Sequence, residues 1–225
     1  ITICTKKYDV TMDEEIQIIN ENTRREKFKN FITKYKKVLI GSSSAFVLII
    51  FLFFLYSDFK HKNQLKIADK FNEITTSYDN KKNENIAQDL ISIIYKKDKT
   101  YSPLALNFLI DNKIVNDKEK INKFFDIIIN EIKLEKEIKN LITYKQALYN
   151  AESSTENNLL KILNPILNSD SIWKSHSLYL MAEYFYSKNE KEKSKEFLNR
   201  IIELDDPNPN IKIEAQKRIR RDFSD

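Results

Sequence analysis

The sequence predicts an all-α chain, one membrane-spanning helix followed by a solenoid of repeated helical hairpins, and three observations carry that prediction. Its 225 residues include one glycine, Gly41, and four prolines. Sheet proteins place glycine in hairpin turns, whereas helices do without it, so strands are not expected. A long uncharged apolar run lies near the start, and amphipathic segments recur behind it at nearly constant spacing.

Residues 1–37 read as a short basic cytoplasmic tail. Within them Met12, followed by DEEIQ, reads as a more natural start than Ile1, which sets residues 1–11 and the single cysteine, Cys4, apart. From Val38 to Tyr56 no residue carries a charge, and a helix of that length reaches ~28 Å, close to the ~30 Å hydrocarbon core of a bilayer. A buried core helix keeps a polar face, yet FVLIIFLFFLY is apolar all round. A cleavable signal would end in small residues, whereas YSDFKHK follows, so residues 38–56 are expected to stay attached as a signal-anchor. Arg24, Arg25, Lys27, Lys29, Lys34, Lys36 and Lys37 precede the span, against Lys60, Lys62, Lys66 and Lys70 after it. The positive-inside preference then puts the N-terminus in the cytoplasm, with Tyr35 and Tyr56 at the two interfaces. Gly41, Ser42, Ser43, Ser44 and Ala45 form a small-residue patch that either admits a second transmembrane helix or merely dilutes the hydrophobicity near one interface.

Residues 57–225 read as the repeat domain. One motif, a small or aliphatic residue with apolar residues at +4 and +7, occurs as Ala87/Ile91/Ile94, Ile121/Phe125/Ile128, Leu159/Leu163/Ile166 and Ser194/Leu198/Ile201, at lags of 34, 38 and 35 residues. Any amphipathic helix satisfies +4 and +7, but lags near the ~34 residues of a helix-turn-helix repeat single these out as repeat-packing positions. The last two units agree further: Tyr144, Ala147, Leu163 and Ile166 recur 35 positions later as Tyr179, Ala182, Leu198 and Ile201. Ser102-Pro103 reads as an N-cap and first-turn pair, and Asp205-Asp206-Pro207-Asn208-Pro209 stops one helix before a capping helix from Ile211 to Phe223.

The unit from Trp173 to Pro207 resembles a tetratricopeptide repeat through Leu178-x2-Met181-Ala182-x2-Phe185, Ser194-x3-Leu198 and Ile201, with small Ala182 and Ser194 where that family packs its two helices together. It departs by having Asn189 where the turn glycine belongs and one extra acidic residue before Pro207. The whole layout resembles the bacterial tetratricopeptide-like family that includes the ancillary subunit of the SecYEG translocon, most specifically, among its alphaproteobacterial members, in IWKSHSLYLMAEYFYSKNEKEKSKEFLNRIIELDDPNPNIKIEAQKRI. That resemblance implies a tetratricopeptide-like solenoid in the periplasm, held to the inner membrane, whose partners are translocon subunits, chaperones or emerging envelope proteins.

Composition excludes other classes. Phosphate-cradling loops need several glycines, and neither His61 nor His176 belongs to a cluster with metal-ligand spacing, so no cofactor or metal is expected. The net charge of +5 is spread over interspersed Lys and Glu, which reads as solvated helix faces and not as a nucleic-acid surface. Carboxylates such as Glu131, Glu135, Glu137, Asp205 and Asp206 lie among lysines, so neither an enzyme nor a small-molecule substrate is expected. The expected function is a single-pass scaffold or adaptor, touching the lipid bilayer and protein partners. Tyr179, Glu183 and Tyr186 are the candidate partner-contact residues, with packing against the next helix as the other reading. An inverted topology would instead give a cytoplasm-facing interaction or RNA-binding domain.

Overall fold

The computed structural model describes the backbone of residues 5–78 and 84–223, and their side chains outside residues 5–22, Leu39 and Glu84. Cys4 lies outside the described residues. Among the described residues the chain is all-helical: α1 (Thr5–Thr76), α2 (Glu84–Tyr95), α3 (Tyr101–Asp111), α4 (Lys118–Glu131), α5 (Lys136–Asn150), α6 (Glu156–Leu167), α7 (Lys174–Ser187), α8 (Lys191–Ile202) and α9 (Pro209–Asp222). Two compact units divide between Asn63 and Gln64.

In the first unit every described side chain from Thr23 to Asn63 is exposed, including Phe46, Phe51, Phe53 and Phe54. The stretch Ile40–Thr76 of α1 is long and apolar enough to cross a membrane, and none of its most apolar window is buried within the protein. Such a surface is costly in water and suits lipid contact, because a helix satisfies its own backbone groups.

The second unit begins with the last turns of α1, whose Ile67, Phe71 and Ile74 join a core built by α2, α3 and α4 around Leu90, Ile94, Leu109, Phe124 and Phe125. A second core gathers Leu159, Leu163, Leu178, Met181, Phe185, Leu198 and Ile201, from α6, α7 and α8, with Ala215 of α9. From α3 to α9 each helix packs on its predecessor, and α2 and α4, α5 and α7, and α7 and α9 touch across the helix between them. The helix α5 serves both cores, giving Ile142 and Tyr149 to the first and Tyr144 and Ala147 to the second.

The repeated motif falls on α2, α4, α6 and α8, every second helix. Ile94, Ile121, Phe125, Ile128, Leu159, Leu163, Ile166, Ser194, Leu198 and Ile201 are buried, as is Ala182 at the α7–α8 crossing. Ala87 and Ile91 are only half-buried, because α2 turns Leu90 and Ile93 inward beside Ile94.

Local chemistry sets the turns. The helix α7 ends in a Schellman motif: Glu190 N–H donates to the Phe185 carbonyl (2.9 Å) and Asn189 N–H to that of Tyr186 (3.0 Å). Asn189 sits there at φ 63°, a conformation that asparagine tolerates in place of glycine. The end of α3 repeats the device with a lysine, Lys113, at φ 51°. Ser102 is not an N-cap. Asp98 Oδ1 accepts from the Thr100 and Tyr101 N–H groups at 2.8 Å each, and Ser102 lies one residue inside α3, its hydroxyl donating to the Ile93 carbonyl at 3.0 Å. The capping helix α9 starts earlier than Ile211, since Pro209 suits a first turn and Asn208 Oδ1 accepts from Asn210 N and Ile211 N.

Candidate interaction groove

The helix α5 carries a third stripe between its two apolar ones. Lys139, Asn140, Thr143, Gln146 and Asn150 fall at i, i+1, i+4, i+7 and i+11, a single face of a helix. They floor an open groove of about 680 Å³, walled on one side by Asn122, Asp126, Ile129 and Asn130 of α4 and on the other by Asn158, Lys161, Ile162 and Pro165 of α6.

The groove exists because small polar side chains stand where α7 and α8, 35 positions later, are filled. Thirty-five positions later, Thr143 and Asn150 correspond to Leu178 and Phe185, and Ile162 corresponds to Phe197. In α7 and α8 the Phe185 and Phe197 rings stack with centroids 5.4 Å apart. An asparagine and an isoleucine cannot fill that volume.

Part of the groove's polarity is satisfied internally. Asn122 and Asn150 exchange amide hydrogen bonds, Asn122 Nδ2 donating to Asn150 Oδ1 at 3.0 Å and Asn150 Nδ2 to Asn122 Oδ1 at 2.7 Å. Gln146 Nε2 donates to Asp126 Oδ1 at 3.2 Å, and the Thr143 hydroxyl to the Lys139 carbonyl at 2.9 Å. Asn140 is the exception: the residue is 7% exposed and its Nδ2 donor has no partner. On α6, Pro165 has no N–H to give the Lys161 carbonyl one turn back.

The other candidate residues lie elsewhere. Tyr179, Glu183 and Tyr186 on α7 meet α9: the Arg218 guanidinium pairs with Glu183 at 2.7 Å and lies over the Tyr186 ring at 4.5 Å, and the same guanidinium holds Asp222 at 2.8 Å. The Tyr186 ring also meets Phe223 edge-on. Burial, followed by the Glu183 carboxylate, pushes the Tyr179 hydroxyl up to about 12. These side chains are thus already engaged inside the second unit. Gly41, Ser42, Ser44 and Ala45 are exposed on α1, and a Cβ added at Gly41 would meet nothing within 4 Å. His176 packs with Tyr144 and Trp173 in an aromatic cluster, and burial pushes its imidazole down, partly opposed by the Ile172 carbonyl. Among the described residues no three His, Cys, Asp or Glu side chains converge as metal ligands would.

Sequence reasoning missed the groove. The signal was present: at the 35-residue lag, Thr143 and Asn150 are polar where Leu178 and Phe185 are core, and a polar residue where the matching position is buried asks for a reason.

No family model matches the chain, and neither the curated proteins nor the solved structures yield a match.

Proposed function

We propose that the protein is a single-pass, membrane-tethered scaffold whose tetratricopeptide-like solenoid binds protein partners at the periplasmic face of a bacterial inner membrane, assisting secretory-translocon or chaperone-linked envelope protein biogenesis. The observation that carries this reading is the conjunction of an apolar helical window that no described residue of the chain buries and a run of sequentially packed helices whose repeated motif falls on α2, α4, α6 and α8. Stacked helical pairs bury one another's faces and leave long surfaces suited to extended segments or partner helices. Anchoring raises the effective concentration of such a surface near other membrane proteins without any new contact. The excess of basic residues before the span supports a cytoplasmic N-terminus.

Protease treatment of intact spheroplasts tests the topology. Residues 57–225 should be digested while the basic tail survives; a protected repeat domain would overturn the periplasmic assignment. Photo-crosslinking from the Ser42 to Ala45 patch, followed by identification of the adducts, tests the partner class. Specific adducts with translocon subunits or periplasmic chaperones are expected, and their absence at every position removes the translocon reading.

A further inference from the structure

We propose that the groove between α4, α5 and α6 binds an extended polypeptide segment by its main chain. The inference deepens the scaffold reading and rests on it for the class of partner, a protein.

Three features select that occupant. First, six lining residues carry side-chain amides, Asn122, Asn130, Asn140, Gln146, Asn150 and Asn158, of which Asn122, Gln146 and Asn150 already pair within the lining while the Asn130, Asn140 and Asn158 side chains do not. A carboxamide presents one acceptor and two donors, the same pairing pattern as a peptide group, so it meets backbone N–H and C=O groups equally well. Second, Asn140 Nδ2 is a buried donor without a partner, on a residue that lines the groove. A donor left unpaired beside an open groove is one that the main-chain carbonyl of an extended segment can take as the segment settles there. Third, charge is nearly balanced, with Lys139 and Lys161 on the lining against Asp126, which already accepts from Gln146. A phosphate or strongly acidic ligand would want arginine forks. The lining contains no aromatic side chain on which a sugar or base would stack.

Main-chain recognition makes the site tolerant of sequence. Side-chain pockets would impose a motif, but neutral amides read the backbone that every partner shares. The groove therefore suits a scaffold that meets many unfolded or emerging segments in turn.

Fluorescence polarisation on the full chain in detergent micelles tests the proposal. The probe is a fluorescein-labelled extended peptide of Ser, Thr and Val, compared with a copy methylated on alternate main-chain nitrogens. The parent peptide should bind, and methylation, which deletes donors while leaving every side chain, should weaken it about tenfold or more. Asn140→Leu and the exposed Asn158→Ala should each weaken binding about three- to tenfold with helicity by circular dichroism unchanged, whereas Tyr179→Phe should bind as the parent protein does. Absence of binding, equal binding of the methylated copy, or full binding by folded Asn158→Ala overturns the groove assignment. That failure is separable from failure of the scaffold reading, which the spheroplast digestion and the crosslinks decide independently.

Discussion

Replacing Asn140 by leucine should stabilise the protein. Asn140 is 7% exposed and its Nδ2 has no partner, so the folded state carries an unsatisfied buried donor, a cost of about 1–3 kcal/mol. Leucine removes that cost and adds apolar burial worth about 1.5–3 kcal/mol for a full side chain. Opposing both is the risk of overpacking, about 1–3 kcal/mol where a core is already full. Here the side chain borders a groove of about 680 Å³, so the branched methyls have room and the penalty should fall at the low end. The net expectation is a gain of about 1–3 kcal/mol, or roughly 2–12 °C in Tm for a domain of this size. Urea unfolding of the full chain in micelles, followed by circular dichroism at 222 nm, measures it, with an unchanged slope required for the comparison to hold. A lower midpoint for Asn140→Leu would refute the reasoning, because it would mean that the amide is satisfied in solution. An open groove held apart by polar residues would then be a stabilising feature, and the case for an awaited peptide would lose its strongest support.

Three further substitutions probe neighbouring features. Lys113 adopts φ 51° at the end of α3, a left-handed conformation that costs a side-chain-bearing residue about 1–2 kcal/mol, so Lys113→Gly should raise stability by about 0.5–1 kcal/mol in the same titration; a loss would mean that the lysine side chain is held by contacts. Arg218 joins Glu183, Asp222 and the Tyr186 ring with its side chain 12% exposed, so Arg218→Ala should cost about 2–3 kcal/mol and release α9 first, read as faster amide exchange at Ile211 to Ile219 than in α7. His176 is held neutral by burial, so its folded pKa lies below the ordinary ~6.5; the stabilisation is complete above that value and is lost as pH falls through it toward the lowered folded pKa. The unfolding midpoint should therefore drop between about pH 7 and pH 5, and His176→Phe, which keeps a ring between Tyr144 and Trp173, should flatten that drop.

What could be read from the residues was whatever a single helix face encodes. Leu159, Leu163 and Ile166 are spaced as one apolar stripe, and burial of that stripe follows from the period alone. The same rule slipped at α2, where Leu90, Ile91, Ile93 and Ile94 make nearly every position apolar, so the period could not say that Leu90 and Ile93 turn in while Ile91 stays half out. Ser102 followed by Pro103 has the composition of a helix start, but Asp98 reaches the free N–H groups first, and only the α2–α3 turn geometry decides between them. Asn189 could be read as a glycine substitute because asparagine tolerates positive φ, whereas Lys113 in the same conformation gives no such sign. Tyr179, Glu183 and Tyr186 look like an exposed ridge until Arg218, some thirty residues further along the chain, is folded back onto them.

The groove follows from the position of α5. This helix gives Ile142 to one core and Ala147 to the other, and the polar stripe between them is the place that neither core fills. Had the 35-residue pattern been kept, Thr143 and Asn150 would be leucine and phenylalanine, the two cores would merge, and the domain would gain several kcal/mol of apolar burial at about 25 cal/mol per Å². Polar residues at these positions forgo that gain, and Asn140 beside them leaves a donor unpaired besides. Marginal stability makes such a sacrifice expensive, and strain or unsatisfied polarity of this kind concentrates where a protein binds something. The stabilising leucine at position 140 and the loss of peptide binding should therefore appear in the same variant. A protein that gains stability and keeps full binding would show instead that the seam between the cores is only a place where packing was never completed.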